Sequence, residues 1–348
     1  MSFPVISPQF FTELTDKENP QNVDNITYNV LTTPASIEYV FPLCQERVLE
    51  KLMETKGVMQ YRMANLPDDV SKEYEEKGAK LIKDDPILRY YWNLKYLTMN
   101  VLQNRNYTMD DRMLILNYCY KTVQTMIDKI ASGQEKDVHI VEKFVSSVMQ
   151  SPRHDGILKM FEGVKEKLNP VYPFYDGLSI ITVLPAPEGQ DEAHKKFVTT
   201  CLKKAGQPAD AKGFMYDEEL HPAMKQYFKD NYEYVPGKAA EEGQADRTHY
   251  LEQVMVNYVW TYCMPFADFK LDLWKNYTFF NILYNTVKTA MTCYLYKSRT
   301  PDTDFIFAMM NLDAGLRTVK GSVVRKILSA NEKQGTCNNG DMAILTLS

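Results

Sequence analysis

Gly-x-Gly does not occur anywhere in this chain of 348 residues. That absence excludes the glycine turn of a dinucleotide-binding sheet. GxxxxGK followed by Ser or Thr, HExxH, GxSxG and the EF-hand loop are missing as well. No P-loop, zincin helix, nucleophile elbow or calcium loop is therefore expected. Cysteine is sparse: Cys44, Cys119, Cys201, Cys263, Cys293 and Cys337 form no CxxC pair, and no His stands at zinc-finger spacing from them. Reduced thiols acting as small hydrophobes are expected, and no metal site. There is no basic run and the net charge is −5, which disfavours a nucleic-acid groove because phosphate binding needs clustered cations. No uncharged apolar run approaches ~20 residues, so no membrane span is expected. The first residues, MSFPVISPQFFTEL, lack a basic region followed by an apolar core. They are not an export signal, the Asn-x-Thr sequons at Asn25, Asn106 and Asn276 read as chance, and a cytoplasmic location is expected.

What is present is an ordinary globular composition, 45% apolar and 24% charged, with 23 Tyr and 16 Phe. A chain of this length buries about three quarters of its unfolded surface, enough for one large domain or two ordinary ones. The first 40 residues hold Pro, Asn and Thr with little periodicity and read as an irregular arm. Helical spacing starts with Val48, Leu49, Leu52 and Met53, in a helix over 43–53. A charged segment leads to Pro86, and Tyr90, Leu94, Leu97 and Val101 mark one face of a helix over 87–103.

The stretch RNYTMDDRMLILNYCY, Arg105 to Tyr120, carries a capping pattern. Thr108 is placed to cap with Asp111 three residues on, and Asp110 and Asp111 lie at the positive end of the helix dipole. Met113, Leu116, Tyr120, Val123, Ile127 and Ile130 then follow at intervals of three and four, with Gly133 as the stop. Helices are expected over 138–150 and 157–168. Four prolines, Pro170, Pro173, Pro185 and Pro187, bracket LSIITVL, whose β-branched residues have strand character. Residues 205–247 read as a mobile connection with one helix over 217–232. Apolar helices return over Tyr250–Met264 and from Leu273 through Tyr294. A further stripe over Phe305–Ile327 starts with Thr300 as cap and Pro301 at the first helical position. The ending DMAILTLS suits a short strand or a docked tail.

Seven to nine helices and at most one or two short strands predict an all-α, irregular multi-helix bundle. Its expected divisions are an arm over 1–40, a helical lobe over 41–169, a Pro/Gly-rich connection over 170–247 and a second lobe over 248–348. His154 beside Asp155 suits either a tuned base or a polar turn. The aromatic residues of the last third, from Tyr258 to Tyr296, suit either core packing or the walls of a groove.

Four segments together resemble the flagellin lysine N-methylase family. FPLCQERVLEKLM resembles its Cys-Pro-Glu segment, with Cys44 as the cysteine and Arg47 as the basic residue. Arg105, Asp111 and Arg112 with the leucine-rich helix behind them resemble its Arg–loop–acidic–Arg pattern. Asn257 and Tyr258 in a helix closed by Pro265 resemble a third segment. The helix from Phe305 with Arg317, and the tail, resemble the carboxyl end. The resemblance spans about residues 41–348. It implies methyl transfer from S-adenosylmethionine to lysines of flagellin in a motile bacterium, with flagellin as partner. Members carry a cysteine-rich amino-terminal segment associated with an iron–sulfur centre. Here only Cys44 stands in that region, so the cluster is not expected. Where members have Ser-Arg and then His, this chain has Leu316-Arg317 and then Lys320-Gly321. Lost polar positions on a kept apolar framework also suit a second reading, a non-catalytic helical module that holds flagellin or another helical partner. For Arg105 and Arg112, pairing with nearby carboxylates is as good an expectation as contact with substrate.

Overall fold

The computed structural model describes residues 3–8, 26–149, 151–165, 171–209, 213–237, 246–319 and 322–333. Cys337, Lys320-Gly321 and the DMAILTLS tail lie outside the described residues. The chain opens on a small sheet: β1 (Pro4–Pro8), β2 (Asn29–Thr32), β3 (Ile37–Val40) and β4 (Tyr61–Asn65), in the order β2-β3-β1-β4. β2 and β3 form an antiparallel pair from Thr32↔Ile37 to Asn29↔Val40. β1 runs parallel to β3 and antiparallel to β4, with Pro4 opposite Asn65. The expected irregular arm is thus corrected, and the sheet has more strands than one or two. Strands of four or five residues are too short to show alternation, and β1 finds its partner β4 only beyond β2, β3 and the first helix.

Thirteen α-helices make up the remainder of the described fold. The first three are α1 (Glu46–Glu54), α2 (Asp68–Asp84) and, after a 3-10 turn at Pro86–Tyr90, α3 (Tyr91–Leu102). α4 (Met109–Ala131) has the expected cap: Thr108 Oγ1 accepts from the Asp111 amide at 3.2 Å and donates to the Asp111 carboxylate at 2.8 Å. Gly133, at φ 74°, follows its end in the left-handed region that glycine enters at no steric cost. α5 (Ile140–Val148) and α6 (Ser151–Lys165) follow.

LSIITVL is helical, not a strand. It completes α7 (Val171–Val183), whose Gly177 faces Thr289 so closely that any side chain there would collide with it. That approach buries Ile180 and Ile181, so packing overrides the β-propensity of the run. α8 (Asp191–Lys204), α9 (Leu220–Asn231) and α10 (Tyr250–Thr261) lead to the central α11 (Leu273–Leu295). Every residue of α11 from Asn276 to Leu295 is buried, against α7, α12, α4, α8, α13 and α9. The expected single helix over 305–327 is two helices, α12 (Pro301–Thr318) and α13 (Val323–Lys333). Val319, with extended backbone (φ −63°, ψ 113°), ends the first. The apolar stripe runs on through the break, since Leu316 and Ile327 are both buried. One connected apolar core reaches from Ile6 to Leu328.

Candidate functional site

Helix α10 is buried along its whole length from Tyr250 to Trp260 and carries polar residues in that setting. Glu252 is the first. Arg112, from the second turn of α4, donates to its carboxylate at 2.6 Å and to the carbonyls of Leu102 and Tyr107 at 2.6 and 2.8 Å. Arg105, in the turn before α4, reaches the same carboxylate at 2.9–3.1 Å and the Lys56 carbonyl at 2.7 Å. The ring of Tyr234 lies over both guanidinium groups, at 5.9 Å from Arg105 and 5.5 Å from Arg112. One carboxylate gives the two arginines opposite shifts. Arg112 is fully buried, and desolvation draws its pKa down despite Glu252. For Arg105 the smaller desolvation is outweighed by Glu252, and its pKa rises. Gln253 donates to the carbonyls of Thr55 and Gly57, and His249 Nε2 pairs with the Met53 carbonyl at 2.8 Å. This nest locks α1, α4 and α10 together.

A second nest lies further along α10. Asp313 of α12 accepts from the Cys44 amide and from Arg317 Nε, each at 2.8 Å and each on Oδ2. Tyr258 and Tyr262, whose rings are 5.3 Å apart, feel the charges of Asp313 and Arg317. Asn257 donates to the Phe41 carbonyl at 2.9 Å. Burial, then the Asp313 charge, pushes the Cys44 thiol up to about 11, so it rests as a thiol and not as a thiolate nucleophile. Thus Cys44, Asn257, Tyr258 and Arg317 meet here, and Arg105 and Arg112 meet at Glu252. Arg47 pairs with Glu50 at 2.9 Å on the exposed face of α1.

The described fold also holds a cavity of about 150 Å³ among α7, α9 and α11. Phe174, Tyr216 and Phe228 supply aromatic wall, and Lys225, Lys229, Glu233 and Lys288 supply charge. Asp110, at the start of α4, accepts from Lys288 at 2.8 Å and from the Tyr284 hydroxyl at 2.5 Å. Burial, then the Asp110 charge, raises the Glu233 carboxyl. Burial, then the Lys288 charge, lowers the Lys225 amine. Burial pulls Lys288 down as well, but Asp110 and Glu233 outweigh it and its pKa rises. Carboxyl and amine groups shifted towards each other inside one cavity are the usual equipment of proton transfer.

Sequence reasoning missed Glu252, Asp313, Glu233, Lys288 and Asp110 as site residues. For three of them a signal was available: Glu252, Lys288 and Asp313 are charges inside otherwise apolar helices, where burial demands a partner. Lys95 of α3 carries the same signal. It is fully buried, pairs with Glu38 of β3, bonds Tyr91 at 2.9 Å and lies 4.0 Å from the Trp260 ring centroid. His154 is buried in α6 beside Asn104 and Tyr107, with its pKa lowered by burial, so the polar-turn reading gives way to a packed neutral ring. Most of the aromatic stripe is core: Tyr258, Trp260, Tyr277, Tyr284 and Tyr294 are buried.

Among the described residues no group of three or more His, Cys, Asp or Glu side chains is placed to hold a metal ion. Cys119, Cys201 and Cys293 are buried, and only Cys201 and Cys293 are shown in contact. A four-thiolate iron–sulfur site does not fit these positions. No helix among the described residues is long and apolar enough to cross a membrane.

The family model for the FliB lysine N-methylase C-terminal domain matches residues 95–312. The match is narrower than the sequence resemblance over 41–348. It takes in Arg105, Arg112, the pocket and α10, and leaves Cys44, Arg47, Asp313 and Arg317 outside. No curated protein matches the chain, and no solved structure does.

Proposed function

We propose a function for a chain that belongs to the FliB lysine N-methylase family through its C-terminal domain: it methylates lysine side chains of flagellin, with S-adenosylmethionine as donor. The observation that supports this is the cavity beside α9, where aromatic walls meet a raised carboxyl and a depressed amine. Its volume of about 150 Å³ suits the four-carbon stem and amine of a lysine. A whole S-adenosylmethionine does not fit it, since cofactor pockets run to about 300–1,000 Å³. When bound, the donor supplies a methyl group on a sulfonium.

The chain's own residues do the acceptor's work. Phe174, Tyr216 and Phe228 pack along the lysine stem. Methyl transfer needs the neutral amine. Lys225 and Lys288 line the same space and make a further ammonium unfavourable there, and Glu233 takes the proton that the substrate lysine loses. Asp110 and Tyr284 hold Lys288 in place. Mass spectrometry of flagellin after incubation with the protein and S-adenosylmethionine tests the reading. The expected result is lysines heavier by one or more methyl groups. Flagellin lysines unchanged in cells with and without this protein would overturn it and favour the non-catalytic module.

A further inference from the structure

Around Asp313, four buried polar atoms have no hydrogen-bond partner: its own Oδ1, Arg317 Nη2, and the hydroxyl oxygens of Tyr258 and Tyr262. Folded interiors leave few such groups unpaired, and each carries the desolvation cost of a lost bond. Here four gather in one nest: Oδ2 of the same carboxylate holds the Cys44 amide and Arg317, Asn257 beside Tyr258 bonds the Phe41 carbonyl three residues before Cys44, and the Tyr258 and Tyr262 rings are 5.3 Å apart. Tyr258 and Asp313 are wholly buried. Cys44 and Tyr262 are half-buried and the Arg317 side chain is 27% exposed, so the nest lies close beneath the surface with its four unpaired atoms enclosed.

The unpaired atoms are complementary in kind. Oδ1 only accepts, Nη2 only donates, and a phenol does either. The charges of Asp313 and Arg317 cancel, so a ligand carrying one charge of each sign enters without leaving an uncompensated ion. We infer that this nest binds the head group of an α-amino acid, its carboxylate on Arg317 and the tyrosine hydroxyls and its ammonium on Asp313. The rings of Tyr258, Tyr262 and Phe279, with successive centroids 5.3 and 5.4 Å apart, make the apolar side of the nest. That head group has two sources, a free amino acid or the amino-acid end of S-adenosylmethionine, and the second rests on the methylase reading.

Calorimetry on the full chain with L-methionine, S-adenosylhomocysteine and adenosine tests the site. Methionine is expected to bind, and its N-acetyl and methyl-ester forms to bind about tenfold or more weakly, each having lost a charged contact. Competition between methionine and S-adenosylhomocysteine assigns the donor's amino-acid end; methionine binding without competition assigns a free amino acid. Tyr258→Phe and Tyr262→Phe remove only hydroxyls that lack partners. The free variants should keep or raise their melting temperature while methionine affinity falls about tenfold for the loss of a charge-assisted bond. A structural role moves stability and leaves affinity alone. No binding at millimolar methionine, or affinity unchanged in both variants, would leave ordered water as the nest's occupant and overturn the proposal. Methyl transfer is not read in this experiment. Methionine binding without flagellin methylation defeats the methylase reading alone, and the reverse result defeats this one alone.

Discussion

At Glu252, two guanidinium groups share one carboxylate, and backbone carbonyls take most of their other donors. In the cavity beside α9, Lys225, Lys229 and Lys288 line the same space as Glu233, with Asp110 behind Lys288. The first arrangement uses most of its donors, Arg112 Nη2 excepted, and ties three helices together. The second leaves charges beside a volume that a side chain can enter, with pKa values displaced in opposite directions. Buried charge alone is therefore a poor guide to chemistry in this fold. What separates a strut from a site is whether the charges enclose a space and whether their proton affinities have been brought together.

Removing the shared carboxylate is the strongest way to break the comparison. Glu252→Ala leaves two arginines without their counter-charge, one of them fully buried. A loss of about 3–5 kcal/mol in urea unfolding is expected. A loss below about 1 kcal/mol would show that the nest is no strut. In the cavity, Glu233→Gln keeps the shape and removes the proton acceptor, so flagellin methylation should fall by about 10²-fold or more with little change in melting temperature. Its pH profile sharpens the contrast. Activity of the unaltered protein should rise with pH through a carboxyl titration displaced above the ordinary range, because the base acts only when ionised, and the Gln variant should lose that limb. A flat profile in the unaltered protein would remove Glu233 from the mechanism.

A smaller effect comes from the histidine in the Glu252 nest. Burial lowers the pKa of His249, so the native state disfavours its protonated form. The unfolded chain then binds more protons below its ordinary titration near about pH 6.5, and stability should be full above that value and decline as pH falls through it. Denaturant midpoints across that range should show the decline, and His249→Gln, which keeps a donor for the Met53 carbonyl, should flatten it. The smallest effect is at Arg47, exposed and paired with Glu50. Arg47→Ala should stay within about 0.5 kcal/mol of the parent in thermal unfolding and leave methylation unchanged.

Much of the helical framework was legible in the sequence. The cap at Thr108, the stripe of α4 and its stop at Gly133 all rest on local rules, and so does the long stripe of α11. The misses share a cause. β1 and β4 are short and pair across β2, β3 and α1, α7 reads as a strand until Gly177 meets Thr289, and α13 continues the stripe of α12 past a backbone break. In each case the deciding contact lies far along the chain. The site divides in the same way. Arg105, Arg112, Tyr258 and Arg317 could be named from their motifs, yet the carboxylates that organise them, Glu252 and Asp313, could not be assigned to them.

Local spacing and capping are properties of a few consecutive residues, and so composition and periodicity settled a mainly helical chain built on α4, α10 and α11. Which charge meets which depends on separations that no local pattern encodes. Arg112 reaches Glu252 only because α4 and α10 both pack on α3, and Lys288 reaches Asp110 only because α11 passes the start of α4. Desolvation inside that packing then chose which groups hold the frame and which exchange protons, because a charge removed from water must find a partner or change its affinity for a proton.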